Sequence, residues 1–431
     1  MPGIAVFLAV LFGYALLSRW FERISVTPHI LVVVAGLAFA ALRAGDAREL
    51  TEVETLQLAG ELALVLALFV DASRSDVVAL RRAAMLPVRL LLIGLPLTIV
   101  AGWVVAAMLF PEIDLAHAFI IAALVAPTDA ALGSVVVNST RVPVRIRQAL
   151  NVESGLNDGL VTPLVLVAVA YVTAGGGEGT TGWIGEAVGE VGLGVLVGVF
   201  VGGGGAIALR LAERRSLIAP ATRWVIAPTM ALLAWWAGHA VGGNVFIAAF
   251  SAGLALTVVH GRVRPAYLEF ADGVGELAGL GVFFLFGALL PDLPLLDPPV
   301  IVFGVAALTV VRMVPVAVAT IGAGLAAPTV GFLGWFGPRG LASIVLGLMA
   351  TGSGLPLADD PRIAAAVAMT VLLSVVAHGL TATPFVQRYA VMARRLPASA
   401  AEHEASVEIA SRTASLRQGR AATIEGTEEG P

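Results

Sequence analysis

Long apolar runs, each closed by a charged residue, a proline or a glycine, recur along most of the 431-residue chain. A helix needs about 20 residues to cross the hydrocarbon core of a bilayer. Runs of that order lie near 4–18, 28–42, 56–72, 87–110, 115–137, 147–173, 187–212, 219–238, 244–260, 270–290, 299–322, 329–350 and 363–386. They are continuous, without the alternation over about ten residues that marks an outer-membrane barrel strand. The pattern predicts an all-α polytopic membrane protein of about thirteen transmembrane helices.

Two of these spans interrupt themselves. The fifth carries Ala126-Pro127-Thr128-Asp129 and the twelfth Phe336-Gly337-Pro338-Arg339-Gly340, each setting a proline and a charge deep in an apolar run. If two inverted six-helix repeats flank span seven, the breaks occupy equivalent positions. Paired interruptions of this kind point to a binding site near the membrane midplane. From Pro397 onward the chain is polar and lacks aromatic residues, a composition that cannot bury a core. The sequence therefore divides into a membrane domain over 1–395 and a flexible tail over 396–431.

Composition agrees with the pattern. Apolar residues make up 58% and charged residues 13%, where an ordinary soluble domain carries about a quarter charged residues, and mean hydropathy is +0.93. There is no cysteine, which removes thiolate metal sites, disulfides and cysteine nucleophiles. All 26 basic residues are arginine, which excludes lysine-based covalent chemistry. No basic region precedes the first apolar run, so that run is expected to be a retained span rather than a cleaved signal.

Alternate loops hold Arg19 and Arg23; Arg74, Arg81 and Arg82; Arg141, Arg145 and Arg147; Arg210, Arg214 and Arg215; and Arg262 and Arg264. The loop near 323–328 has none. The other set holds Arg43, Arg48 and Arg362 among Glu112, Asp114, Glu178, Asp292, Asp297, Asp359 and Asp360. The positive-inside rule makes the first set cytoplasmic. The N-terminus is then expected outside and the C-terminus inside a plasma (inner) membrane.

Ionisable groups inside hydrocarbon cost about 3 kcal/mol or more and persist when paired, hydrated or functional. Span six reads Asn151-Val152-Glu153-Ser154-Gly155-Leu156-Asn157-Asp158-Gly159. At helical spacing Ser154 and Asp158 share one ridge, and Glu153 and Asn157 the next. These oxygen donors, with Thr128 and Asp129 from the broken fifth span, suit a hard cation such as Na+ held at Asp158, Ser154 and Thr128.

Two close anions need a counter-ion. Arg339 is the expected one and Glu153 its partner, which leaves Asp158 free to exchange its load. A carboxylate that takes either a proton or a cation makes the two compete, which is sufficient for coupled exchange. Asp71, at the cytoplasmic end of span three, is either a funnel-lining or a boundary acid. His378 is a pH sensor or a structural hydrogen-bonding group. Glu61 and Glu276 are buried pairs or cavity residues, and Arg312 is expected to neutralise a helix end or an acid, with substrate binding as its alternative. Gly202-Gly203-Gly204-Gly205 reads as a close-packing surface or a bend.

The residues Ala126-Pro127-Thr128-Asp129-Ala130 and Arg147-Gln148-Ala149-Leu150-Asn151-Val152-Glu153-Ser154-Gly155-Leu156-Asn157-Asp158 resemble the monovalent cation:proton antiporters of the NhaP/NHE type. So do Phe283-Phe284-Leu285-Phe286-Gly287, Gly337-Pro338-Arg339-Gly340 and Ser374-Val375-Val376-Ala377-His378-Gly379-Leu380-Thr381, in order from about Phe69 to Phe385. The resemblance implies a homodimer, with spans 1–3 and 8–10 as dimerisation domain, spans 4–6 and 11–13 as moving core and span 7 as linker. It implies that Asp158 carries the ion or proton, that Ser154, Thr128 and Asp129 help form the site, and that Glu153 and Arg339 hold the core together. The Asn157-Asp158 pair resembles the electroneutral branch.

The leading expectation is Na+ (or Li+) exchanged for H+ across a plasma membrane, in a protein that is not an enzyme and uses no cofactor. Membrane lipid is its surroundings, and no nucleic acid is involved. A K+/H+ antiporter of the same fold is the alternative. An intramembrane aspartyl protease built on Asp129 and Asp158 is remote, because Asn157 precedes the acid and Glu153 and Arg339 would lack a role. A channel lacks a repeated filter sequence.

Overall fold

A computed structural model describes residues 2–42, 53–74, 85–174, 182–261, 263–352, 360–397 and 399–404. Among these residues there are helices and no strand. The first helices are α1 (Pro2–Arg23), α2 (Pro28–Leu42) and α3 (Val53–Arg74). α4 (Met85–Leu109) contains a π-helical turn over Leu90–Gly94. The fifth span is α5 (Leu115–Val125) and α6 (Ser134–Val137), and α7 (Val144–Thr173) follows. Next come α8 (Gly182–Arg214), α9 (Ile226–Ala240), α10 (Val245–His260) and α11 (Pro265–Leu289). α12 (Pro298–Ala319) precedes the twelfth span, which is α13 (Ala327–Trp335) and α14 (Leu341–Gly352), and α15 (Pro361–Ala393) is last.

Each predicted span falls on one of these helices, the fifth and twelfth as two pieces. Local sequence sets many of the ends. Asp114 and Asn244 accept hydrogen bonds from the first backbone N–H groups of α5 and α10, and Pro265, Pro298 and Pro361 open α11, α12 and α15. Both breaks contain a proline, which donates no backbone hydrogen bond and so cannot continue the helical ladder.

The helices pack as two sets. α3 lies against α10 and α11, α11 against α2, and α10 against α8 and α9. In the other set α4 lies against α5 and α12, α5 against α7, and α12 against α15. α7 also touches α3 and α10, so the helix carrying the acids stands where the two sets meet. Large apolar side chains such as Phe12, Leu16, Leu92, Met108, Leu196, Phe200 and Trp236 are exposed, the surface of a protein whose surroundings are lipid. The glycine run serves close approach, as expected. A Cβ on Gly202 would strike the Ala252 backbone, and one on Gly198 the Ala248 carbonyl, so α8 and α10 meet backbone to backbone.

Two features depart from the sequence reading. α12 is not a single smooth rod: it turns at Thr309, whose φ and ψ are −109° and −94°. The tail does not leave the membrane domain at residue 396. Ala401–His403 form a short 3-10 turn with Glu402 buried. Glu402 Oε1 accepts hydrogen bonds from Ala326 N–H (2.8 Å) and the Thr329 hydroxyl (2.7 Å), capping α13, while Arg145 at the start of α7 pairs with Glu404 at 2.9 Å. Unmatched N–H groups at a helix start need acceptors, and a buried carboxylate meets that need. Arg43, Arg48, Arg81, Arg82, Glu178, Arg262, Asp359 and the tail after residue 404 lie outside the described residues.

Candidate ion-binding site

The two broken spans cross, and each charge placed at a break by the sequence serves the other span. Asp129 N–H donates to Pro338 O at 2.7 Å. The Asp129 carboxylate accepts from Ala131 N–H (2.7 Å) and Leu132 N–H (3.3 Å) of its own turn through Oδ1. Through Oδ2 it accepts from Leu341 N–H of α14 at 2.8 Å. Arg339 runs the opposite way. Its Nε donates to Val125 O at the end of α5 (2.8 Å) and its Nη1 to Gly337 O beyond the end of α13. An anion therefore sits at a helix start and a cation at helix ends, the placement the helix dipole favours. Gly340 makes the approach possible, since a Cβ there would collide with the Asp129 carboxylate.

Arg339 N–H also donates to Ser374 Oγ at 2.6 Å on α15. Ser374 Oγ lies 3.1 Å from His378 Nδ1, and His378 Nε2 lies 2.8 Å from Trp335 O. His378 Nδ1 also lies 2.9 Å from Ser374 O, so the imidazole closes this chain through both ring nitrogens. It ties α15 to both sides of the twelfth-span break. His378 is 1% exposed.

Glu153 on α7 does not pair with Arg339. Its carboxylate is held by Arg312 of α12 in a two-bond fork, Nη1 to Oε1 at 2.5 Å and Nη2 to Oε2 at 2.8 Å, with both side chains 1% exposed. The reason is local. The carbonyls freed at the two breaks claim the Arg339 guanidinium, and α12 directs the other arginine at Glu153. Arg312 thus neutralises an acid, one of the roles weighed for it. Asp129, expected among the ion ligands, is engaged as a cap at both oxygens. Among the buried charges, Asp129, Glu153, Arg312 and Arg339 at the crossing sum to zero.

Beside this neutral frame lies a cluster of oxygens. Thr128 Oγ1 and Ser154 Oγ are 2.9 Å apart, and Asn157 Nδ2 donates to Thr128 Oγ1 at 2.7 Å. Asn157 Oδ1 is buried and has no hydrogen-bond partner among the described residues. Asp158, one residue on, is half-buried, and its carbonyl accepts from the Thr162 hydroxyl at 2.7 Å. Asp71 is buried on α3, where a Cβ on Gly155 would lie 3.6 Å from its own Cβ. It thus faces the turn of α7 between Ser154 and Asp158. Among the described residues no group of three His, Cys, Asp or Glu side chains could hold a resident metal. What the arrangement offers a hard monovalent ion is the hydroxyl and amide oxygens of Thr128, Ser154 and Asn157, with the Asp158 carboxylate on the same stretch of α7 and Asp71 facing it.

The other intramembrane acids stand apart. Glu61 accepts from Trp235 Nε1 at 2.7 Å, and Glu276 is exposed on α11. Ser374 escaped notice in the sequence, although its place one helical turn before His378 was the available signal.

A many-helix membrane protein whose paired broken helices cross beside an acid-bearing helix has the form of a secondary ion carrier. The family described as "Sodium/hydrogen exchanger, transmembrane" matches residues 6–388, and the chain belongs to it. It is 25% identical over 345 residues to the K+/H+ antiporter NhaP2 of Shewanella oneidensis, covering 79% of this chain and 59% of that protein. The chain thus spans less than two thirds of that relative. An uncharacterized Na+/H+ exchanger of Mycobacterium bovis is 26% identical over 426 residues, covering 90% of this chain and 75% of that protein. The fold is similar to that of the sodium proton antiporter MjNhaP1 of Methanocaldococcus jannaschii, with TM-score 0.68, 19% identity, and coverage of 90% of this chain and 99% of that one.

Proposed function

We propose that this chain exchanges one alkali cation, Na+ or Li+, for one proton across a plasma membrane, with Asp158 taking either load in turn. The observation that carries the reading is the contrast within one site. Asp158 lies half-buried on α7, one residue from Asn157 and one helical turn from Ser154, while the Glu153 carboxylate is held by Arg312 and the Asp129 carboxylate by backbone N–H groups. One proton or one monovalent cation adds the same charge to Asp158, which favours one-for-one, electroneutral exchange. Two loads that cannot be held together compete, and an empty carboxylate in a low-dielectric core resists crossing.

The names of the relatives support proton-coupled exchange and divide over the cation: NhaP2 is a K+/H+ antiporter and MjNhaP1 a sodium proton antiporter. K+ is therefore the second reading. The packing of α4, α5, α7, α12 and α15 as one set and of α2, α3, α9, α10 and α11 as another supports a moving core against a scaffold, with α8 lying mainly on α10 and also touching α7. The arginines at alternate loops support a cytoplasmic C-terminus, and a homodimer is carried over from the family resemblance.

The test is proton flux in proteoliposomes of purified protein, with Na+, Li+ or K+ pulses at clamped membrane potential. Na+-driven flux that is insensitive to voltage supports the reading. Equal flux with K+ moves the substrate to the second reading, voltage-dependent flux overturns the stoichiometry, and absence of flux from folded protein with any cation overturns the exchanger.

A further inference from the structure

α12, α13 and α15 enclose a groove of about 430 Å³. Its wall is aromatic. The Phe332 and Tyr389 rings stack with centroids 4.1 Å apart, and Trp335 lies 5.8 Å from Phe385. The polar tips of the wall are already used: Tyr389 Oη lies 3.2 Å from Thr329 Oγ1, and Trp335 Nε1 donates to Thr381 at 3.0 Å. What remains facing the groove is hydrocarbon. Around it the exposed side chains are apolar, with Val310, Val314 and Val318 on α12 and Leu380 and Val391 on α15, so the groove opens onto lipid.

One charge sits on the rim. Arg388 of α15 is exposed and makes no ion pair or hydrogen bond with the described residues. Arg394 and Arg395, also exposed, follow at the end of α15. Phe385, Arg388, Met392 and Arg395 recur at helical spacing, so the aromatic wall and the arginines run along one ridge. A bare guanidinium over an apolar slot near a membrane surface is complementary to one kind of occupant.

We propose that this groove is a binding site for an anionic phospholipid of the leaflet next to the C-terminal end of α15, its phosphate on Arg388 and an acyl chain along Phe332, Trp335 and Phe385. Charge complementarity selects the headgroup, and the aromatic wall selects a chain rather than a soluble anion. The site also reaches the crossing. Trp335 is the last residue of α13, and its carbonyl is the partner of His378, so a chain lying on Trp335 steadies the break in the twelfth span. The inference rests on the fold alone and stands whichever ion is exchanged.

Purified full-length protein in micelles is titrated with dibrominated phosphatidylglycerol and, separately, dibrominated phosphatidylcholine. Tryptophan fluorescence is followed, with Trp335→Phe isolating the signal of that ring. Phosphatidylglycerol is expected to quench Trp335 at about fivefold lower lipid-to-protein ratio, the preference a surface arginine gives for anionic lipid. Arg388→Gln, a change at an exposed side chain, is expected to bring the two lipids to parity. Gly331→Leu should fill the groove without collision, since a Cβ there meets nothing within 4 Å, and should remove quenching by both lipids. Equal quenching of Trp335 by the two lipids in the wild type overturns the headgroup assignment. A phosphatidylglycerol preference that survives Arg388→Gln, or a Trp335 that neither lipid quenches, overturns the site.

Discussion

Glu153 and Asp158 stand five residues apart on one helix and have opposite surroundings. Glu153 is 1% exposed and gripped at both oxygens by Arg312. Asp158 is half-buried, beside hydroxyl and amide oxygens. A carboxylate in a fork with arginine is fixed in its charged state, because releasing the partner leaves an unpaired ion in a dry interior. A carboxylate beside neutral oxygens can give up one small cation and take another, or a proton. The same chemical group thus holds the frame in one place and, on the proposed function, carries the load in the other.

The strongest way to break this contrast is to neutralise each acid in turn. Asp158→Asn should reduce cation-driven proton flux to that of protein-free liposomes while the detergent melting curve stays where it was. Flux retained by a folded Asp158→Asn would falsify the carrier assignment. Glu153→Gln should do the reverse to stability, costing about 3–5 kcal/mol through the stranded Arg312, read as a large downward shift of the melting midpoint.

A double-mutant cycle sharpens the pairing. Glu153→Gln with Arg312→Gln should show coupling of about 0.5–3 kcal/mol, whereas Glu153→Gln with Arg339→Gln should be closer to additive. Strong coupling to Arg339 and none to Arg312 would show that Glu153 depends on the break after all.

The crossing allows a smaller version of the same test. Asp129→Asn keeps one acceptor oxygen at the half-helix starts but loses the charge, and a cap of this kind contributes about 1 kcal/mol. The melting midpoint should fall modestly and the apparent cation KM should hardly move. Thr128→Val removes a hydroxyl from the oxygen cluster and should raise the cation KM more than it lowers the midpoint. If Asp129→Asn raises KM as much as Thr128→Val, the carboxylate is a cation ligand as well as a cap.

Much of this was legible in the residues because the bilayer simplifies the code. A span must be apolar for about 20 residues, so the helices can be counted, and proline in mid-span, as at Pro127 and Pro338, can be seen without a structure. Span six likewise displays Ser154, Asn157 and Asp158 at spacings that have meaning only on a helix. What could not be read was which distant groups meet. Arg312 and Arg339 are both lone arginines in apolar runs, and the choice between them depends on how α12 turns against α7 and on which carbonyls the breaks set free. The turn at Thr309 has no proline or glycine at that residue to announce it. Glu402 lay hidden for the opposite reason: it sits in polar sequence that looks unable to fold, yet one carboxylate meets a helix start that lacks acceptors.

Glu402 gives the weakest expected effect, and it turns on pH. Burial pushes its carboxyl up, but the hydrogen bonds from Ala326 N–H and the Thr329 hydroxyl outweigh burial, so it titrates below the ordinary value of 4.5. A carboxyl lowered by folding stabilises the fold fully above its unfolded value and loses that contribution as pH falls through the folded one. Glu402→Ala should therefore cost about 1 kcal/mol at neutral pH, as loss of a helix cap does. Its melting midpoint should converge on the wild type below pH 4.5, where the wild-type carboxylate takes up its proton. A gap that stays constant from pH 7 into acid would mean that Glu402 acts by packing and not by charge. A gap that closes would place the charge at the start of α13, so that the first residues after α15 hold the entrance to the broken twelfth span as Asp129 holds its middle.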